Sequence, residues 1–80
     1  MEPPQTAALR EAIVTLSPMA RSELYTLVRI GQGDLAAKKW HRGLSEASLL
    51  GDEQVTAAIT EDPDLHDHIM KALYEADFAS

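Results

Sequence analysis

Four short signals divide the chain into segments with helical periodicity, and they constrain its fold more than any other feature. Each signal joins a capping residue to a proline or glycine that begins or ends a helix. Between the signals, apolar residues recur at spacings of three and four, and no segment alternates as a β-strand does. The sequence therefore predicts an all-α fold, a compact bundle of four to five short helices joined by tight turns. The signals are Ser17-Pro18, Gly31-Gln32-Gly33-Asp34, Gly51-Asp52 and Asp62-Pro63.

Each predicted helix has one inward apolar stripe. The first helix is expected from about residue 6 to residue 15, and the second begins at Pro18 and ends at two glycines that accept a left-handed conformation. Asp34 is expected to cap a third helix over residues 35–49, in which Gly43 beside Trp40 indicates a close helix contact. A short fourth helix follows Gly51, and the last runs from residue 63 to about residue 77. The predicted core consists of Leu9, Ala12, Ile13, Leu16, Ala20, Leu24, Leu27, Val28, Ala36, Trp40, Gly43, Leu44, Ala47, Val55, Ala58, Ile59, Leu65, Ile69, Ala72, Leu73 and Ala76.

The length of 80 residues fits one domain. We expect residues 1–80 to form a single helical domain, with residues 1–5 as a flexible tail. The chain has no cysteine, and no apolar segment approaches the roughly 20 residues that span a bilayer. We therefore expect a cytoplasmic protein that makes no membrane contact, no disulfide and no thiolate metal site.

Charge is unevenly distributed along the chain. The net charge is −6, with +3 over residues 29–45 and −8 over residues 46–80. Nucleic acid and anionic membranes repel an acidic chain, so we expect no general nucleic-acid binding. The acidic half instead predicts a surface for a protein partner. The acidic residues expected to bind this partner are Glu61, Asp62, Asp64, Asp67, Glu75 and Asp77.

In size and charge the chain is similar to small acidic phage inhibitors of bacterial nucleic-acid machines, the anti-CRISPR proteins among them. This similarity predicts a non-catalytic protein-binding module that inhibits or regulates a nucleic-acid-handling machine through its acidic surface. The alternative is that the acidic residues serve only solubility.

Several apolar side chains fall outside the inward stripes. Met70 and Tyr74 are four residues apart on the last helix, and Tyr25 and Ile30 lie on a flank of the second. A thioether beside an aromatic ring is typical of protein interfaces. We expect these four residues to form an apolar interface with a protein partner or in a homodimer. The alternative is that these side chains cover helix ends. A second alternative for the function is a dimeric structural or regulatory protein without a nucleic-acid connection.

A helix-turn-helix arrangement is the main alternative function. The second helix, a glycine-containing turn and a basic third helix over residues 35–49 follow one another in the required order. In this alternative the chain is a DNA-binding regulator, and Arg29, Lys38, Lys39 and Arg42 contact phosphate groups. The competing interpretation is an ordinary solvated helix face.

No segment carries a catalytic signature. The loop at residues 31–34 lacks the lysine and Ser/Thr of a phosphate-binding loop, and no serine lies in a nucleophile motif. His66 and His68 are two residues apart and point away from each other on a helix. Asp64 and His68 have the spacing of helical metal ligands, but two ligands on an exposed helix bind a metal weakly. We therefore expect no enzymatic activity, no metal and no cofactor.

The residues from Glu23 to Asp34, then Trp40, and then the helix from Leu65 to Leu73 resemble a family of small bacterial proteins known as domain of unknown function 3775. The similarity covers roughly residues 17–75. The family motif is apolar-Gly-Arg-Gly-Asp, here Ile30-Gly31-Gln32-Gly33-Asp34, with Gln32 in the place of arginine. The resemblance implies a helical fold and a bacterial or phage origin, and it brings no reaction or substrate. A phosphate or carboxylate contact of the motif's arginine is not carried over to Gln32.

Overall fold

The computed structural model describes the backbone of residues 4–79 and the side chains of residues 4–76. Within this range the chain forms helices joined by short turns, and the predicted all-α bundle is confirmed. The elements are α1 (Pro4–Val14), α2 (Pro18–Gly31), a 3₁₀ turn (Ala37–Lys39), α3 (Trp40–Leu50), α4 (Asp52–Thr60) and α5 (Leu65–Ala79).

Helix α2 is the central element of the bundle. It packs against α3, α4 and α5, whereas α1 lies at the periphery and packs mainly on α4. Because three helices surround α2, side chains on several of its sides are buried, and a single inward stripe describes it poorly. The predicted stripe residues Ala20, Leu24 and Leu27 are half-buried, and Val28 is fully buried.

Tyr25 and Ile30 belong to the core, and their prediction as exposed interface residues is wrong. Tyr25 is 6% exposed and Ile30 is 1% exposed. Burial also raises the pKa of the Tyr25 phenol, against the opposing effect of the nearby Arg29 charge, so the ring stays neutral at physiological pH. Both residues lie on sides of α2 that are covered by neighbouring helices.

Two of the four predicted helix starts, those of α2 at Pro18 and of α4 at Asp52, lie where the signals predict them. The Ser17 hydroxyl accepts a hydrogen bond from the Ala20 backbone N–H at 3.1 Å, and Pro18 is the first residue of α2. Gly51 adopts a φ of 88° before α4, a conformation that residues with a side chain rarely accept.

The third helix begins later than predicted. Residues 37–39 form a 3₁₀ turn, and α3 starts at Trp40 with Lys39 at its N-cap position. Leu35 is buried in an irregular segment, in a core cluster with Ile30 and Ala72. The predicted cap at Asp34 is therefore wrong. Leu35 is held in the core in an irregular conformation, so no helical turn forms at residues 35 and 36. The Asp34 carboxylate does not cap a helix and accepts a hydrogen bond from Arg29.

The chain ends also differ from the prediction. Pro4 and Gln5, which were expected in a flexible tail, form the first turn of α1, and residues 1–3 lie outside the described residues. Helix α5 starts at Leu65 rather than at residue 63. The residues before it form a turn in which the Asp62 carboxylate accepts a hydrogen bond from the Asp64 backbone N–H at 2.9 Å.

The core consists of two clusters of buried side chains, one on each side of α2. The larger cluster joins α1, α2, α3 and α4, and the smaller joins α2, the irregular segment and α5. Four residues of the predicted core are instead exposed to solvent: Ala12, Leu16, Ala36 and Leu73. The larger cluster contains Ile13, Tyr25, Val28, Ala47, Val55 and Ile59, and the smaller contains Ile30, Leu35 and Ala72.

Two glycines allow helices to approach closely. A Cβ atom added at Gly31 would lie 1.9 Å from the carbonyl oxygen of His68, so α2 and α5 touch backbone to backbone there. A Cβ atom added at Gly43 would lie 2.4 Å from Cγ2 of Thr26, which confirms the predicted close contact of α3. Gly31 is thus required for space, whereas Gly33 provides the positive φ of 84° that ends the helix.

We expect the Gly31→Ala substitution to lower the free energy of unfolding by about 3 kcal/mol, because α5 must move to make room for the methyl group. The matched control is Gly33→Ala, where nothing lies near the added Cβ atom and only backbone strain of about 1 kcal/mol arises. Urea denaturation followed by circular dichroism measures both values. Equal effects of the two substitutions would contradict the close helix contact.

Candidate functional site

The outward side of α5 carries three large apolar side chains, which we call the α5 face: Met70, Leu73 and Tyr74. They are 55%, 48% and 66% exposed, respectively. Their spacing of three and four residues places them together on one side of the helix. The opposite side of α5 packs inward through Leu65, Ile69 and Ala72. Met70 and Tyr74 are thus exposed rather than covering helix ends, and Leu73 lies beside them.

An apolar groove lies beside the α5 face, between α2, the 3₁₀ turn and α5. It has a volume of about 530 Å³, and we call it the Trp40 groove. Lys38 and Glu23 contribute one positive and one negative charge to its lining. Leu73 belongs to both the α5 face and the groove, so the two features form one continuous surface. The apolar lining residues are Leu27, Ala37, Trp40, Leu73 and Ala76.

The predicted acidic residues do not form one uniform surface. Glu61, Asp64 and Asp67 are exposed around the start of α5, and Glu75 is half-buried. The side chain of Asp77 lies outside the described residues. Asp62 is enclosed, with only 1% of its side chain exposed, and it is therefore not available to a partner.

Asp62 links the end of α2 to the start of α5. Its Oδ2 atom accepts hydrogen bonds from Nδ1 of His68 and, at 3.3 Å, from Nε2 of Gln32. Its Oδ1 atom accepts the bond from the Asp64 backbone that forms the turn. An ionised carboxylate can only accept hydrogen bonds, so Nδ1 of His68 carries the proton.

The hydrogen bonds to Asp62 outweigh the effect of its burial. Burial raises the pKa of the Asp62 carboxyl, but the bonds from His68, Asp64 and Gln32 and the charge of His68 together lower this pKa below its ordinary value. Asp62 is thus ionised at neutral pH, and its charge contributes to the contact between α2 and α5.

The motif at residues 30–34 has an internal structural role at every position. Ile30 is buried, Gly31 allows the close helix contact, and Gly33 ends α2. Gln32 donates a hydrogen bond from Nε2 to the Asp62 carboxylate at 3.3 Å. Asp34 accepts a bond from Nη1 of Arg29 at 3.2 Å.

The basic residues of the DNA-binding alternative lie in two different environments. Arg29 is paired with Asp34, and its Nε atom lies 3.5 Å from Oε1 of Glu46, so its charge is already compensated within the fold. Lys38, Lys39 and Arg42 are exposed. The first two of these precede α3 and do not lie on it. Residues 32–39 separate α2 from α3, whereas a helix-turn-helix has a turn of about three to four residues.

A second cleft of about 440 Å³ lies on the other side of the bundle and is lined by residues of α1, α2 and α4 together with Glu61. Arg21 and Asp52 form an ion pair at 3.4 Å in its wall.

Among the described residues, no group of three histidine or carboxylate side chains gathers as metal ligands. No helix within residues 4–79 combines the length and the apolar character needed to cross a membrane.

Two features of the surface and its support do not follow from the apolar pattern. Leu73 fits both the predicted core stripe and the exposed side, because it is three residues from Met70 and next to Tyr74. The bond between His68 and Asp62 has no helical spacing that predicts it, because Asp62 lies in the turn before α5. Its proximity to Gln32, 30 residues away in the chain, leaves no local signal.

Comparison with known proteins gives a family but no characterised relative. The model of a family described as "protein of unknown function (DUF3775)" matches residues 6–78. No curated protein and no solved structure gives a significant match to the chain.

We expect the Asp62→Asn substitution to lower the free energy of unfolding by about 2 kcal/mol at pH 7, because the amide has one acceptor oxygen where the carboxylate has two and the negative charge is lost. The folded-state pKa lies below the unfolded-state value of about 3.9. The stabilisation is therefore fully present above the unfolded-state pKa and is lost as the pH falls through the folded-state pKa. Urea denaturation at pH 7 and pH 3 should show a smaller difference between wild type and variant at pH 3.

The exposed neighbour Asp64 provides the matched control, since Asp64→Asn retains the backbone N–H that bonds to Asp62. This variant should have nearly wild-type stability at both pH values. An Asp62→Asn effect that is the same at pH 7 and pH 3 would show that the charge of Asp62 does not stabilise the fold.

Proposed function

The chain belongs to the DUF3775 family, whose function is unknown, and from its surface we propose that it is a non-catalytic protein-binding module. Its contact surface consists of the α5 face and the Trp40 groove. The observation that carries this proposal is the position of Leu73, which joins three exposed apolar side chains to an apolar groove of about 530 Å³. Continuous apolar surfaces of this kind mark interaction sites on small proteins.

The composition of this surface supports protein binding. Methionine and aromatic residues are enriched in protein interfaces, and an apolar side chain that fills a groove is a common anchor. Met70 and Tyr74 are such interface residues on the α5 face. Trp40 and Leu27 line the groove, into which an apolar side chain of a partner would fit. The charges of Lys38 and Glu23 provide polar contacts at the same site.

The exposed carboxylates near the start of α5 support a narrower version of the proposal. Glu61, Asp64 and Asp67 are positioned to meet a basic partner, as expected for an inhibitor or regulator of a nucleic-acid-handling machine in the cytoplasm. Fewer acidic residues are available for this role than the net charge of −6 suggests. Asp34, Glu46, Asp52 and Asp62 are already engaged in contacts within the fold.

We expect a chain with Met70→Glu and Tyr74→Glu to stay folded and to lose its protein partner. Both side chains are more than half exposed, so their replacement removes little buried apolar surface and the helices should stay folded. Two charges on the α5 face must be desolvated for binding, which weakens the complex. Tagged wild type and variant are used to capture proteins from a bacterial lysate, and the retained proteins are quantified by mass spectrometry.

The matched control is Leu49→Glu, which places a charge at an exposed leucine of α3, outside the α5 face and the Trp40 groove. This variant should retain the same proteins as the wild type. Identical retention by the α5-face variant and the wild type, together with an identical oligomeric state and with circular dichroism showing intact helices in both, would refute the proposed surface.

The DNA-binding alternative has its own test. We expect the wild type to bind random duplex DNA no more tightly than a Kd of about 10⁻⁴ M at physiological salt, because the net charge is negative and Arg29 is paired. Fluorescence anisotropy measures this affinity. The variant with Lys39→Glu and Arg42→Glu leaves the Trp40 groove intact and should capture the same proteins as the wild type. Tight DNA binding that this variant loses would favour a DNA-binding regulator.

A further inference from the structure

The α5 face is bordered by two exposed residues of opposite charge, Asp67 and Lys71. Lys71 is the one lysine or arginine after Arg42 in a segment that is otherwise strongly acidic. Lys71 offsets the charge of one carboxylate on this side of α5, within a chain that carries −6 as a whole. Two copies of the chain therefore meet less repulsion on this side than elsewhere on the acidic half of the sequence.

From this charge pattern we propose that the partner of the α5 face is a second copy of this chain, packed with its α5 antiparallel to the first. The inference rests on the protein-binding function proposed above, and it identifies the partner. In a twofold dimer the same surface is used by both copies, so every contact between two different residues occurs twice.

The positions on α5 satisfy this symmetry requirement. Asp67 and Lys71 are separated by about 6 Å along the helix axis, at 1.5 Å per residue. A twofold axis near residue 69 brings Asp67 of each copy opposite Lys71 of the other, which gives two ion pairs. The same axis brings Met70 of the two copies close together and places Tyr74 near the start of the second α5. Met70 thus lies between the levels of the two ion pairs, and Leu73 and Tyr74 extend the apolar contact beyond them along the helix.

The small core provides a reason for this association. A domain of 80 residues buries a limited apolar surface, and dimerisation commonly supplements such a core. Met70, Leu73 and Tyr74 together are the apolar surface that a second copy would remove from water. A basic protein partner would leave Lys71 facing a like charge, whereas a second copy supplies Asp67.

The test is a charge exchange between two variants. Asp67→Lys makes both flanking charges positive, and Lys71→Glu makes both negative, so each variant alone places like charges opposite each other. We expect light scattering and sedimentation velocity to show a concentration-dependent dimer for the wild type. Each single variant should have a Kd that is weaker by about tenfold or more. An equimolar mixture of the two variants should form a heterodimer with nearly wild-type affinity, because both ion pairs are restored.

Circular dichroism of each variant provides the folding control, and the recovery of dimers in the mixture also excludes misfolding as the cause of dissociation. A wild type that stays monomeric at millimolar concentration would overturn the proposal, as would dimers that persist in both single variants. A mixture that stays monomeric while the wild type dimerises would overturn the antiparallel arrangement proposed here.

Failure of this inference can be distinguished from failure of the proposed function. If the wild type is monomeric but the α5-face variant loses a protein that the wild type captures, the partner is a different protein and the binding surface stands. If the wild type is monomeric and the two chains capture the same proteins, both proposals are wrong.

Discussion

The backbone contact between the end of α2 and the start of α5 fixes the position of the helix that carries the candidate surface. Gly31 lies directly against the carbonyl group of His68, and any side chain there would force α2 and α5 apart. The buried Asp62 carboxylate strengthens this contact, since it accepts hydrogen bonds from Gln32 at the end of α2 and from His68 on α5. A buried charge without such donors would destabilise the fold, so the donors and the carboxylate depend on one another. This contact sets which side of α5 turns inward and which faces solvent.

The sequence predicted the number and order of the helices because their boundaries depend on local chemistry. Ser17 and Pro18 begin α2 by a cap that involves residues close in the chain, and Gly51 precedes α4 for a similarly local reason. The start of α3 was not predictable in this way. Leu35 is drawn into a cluster with Ile30 and Ala72, and this distant contact overrides the helical pattern that begins at residue 35.

The candidate surface was predicted only in part because burial depends on how many neighbours a helix has. Met70 and Tyr74 lie on α5, which packs on one side, and a one-stripe pattern describes such a helix well. Tyr25 and Ile30 lie on α2, which has neighbours on several sides, so residues outside the stripe are also buried. Charge was similarly ambiguous. The sequence gives the number of carboxylates, but only the structure separates those that form internal ion pairs from those that face solvent.

The internal role of the Ile-Gly-Gln-Gly-Asp segment has a consequence for how the bundle is built. Its residues build the joint between two helices, and none of them belongs to the α5 face. The segment therefore determines how α2 and α5 pack together, and it does so without any of the residues of the proposed contact surface.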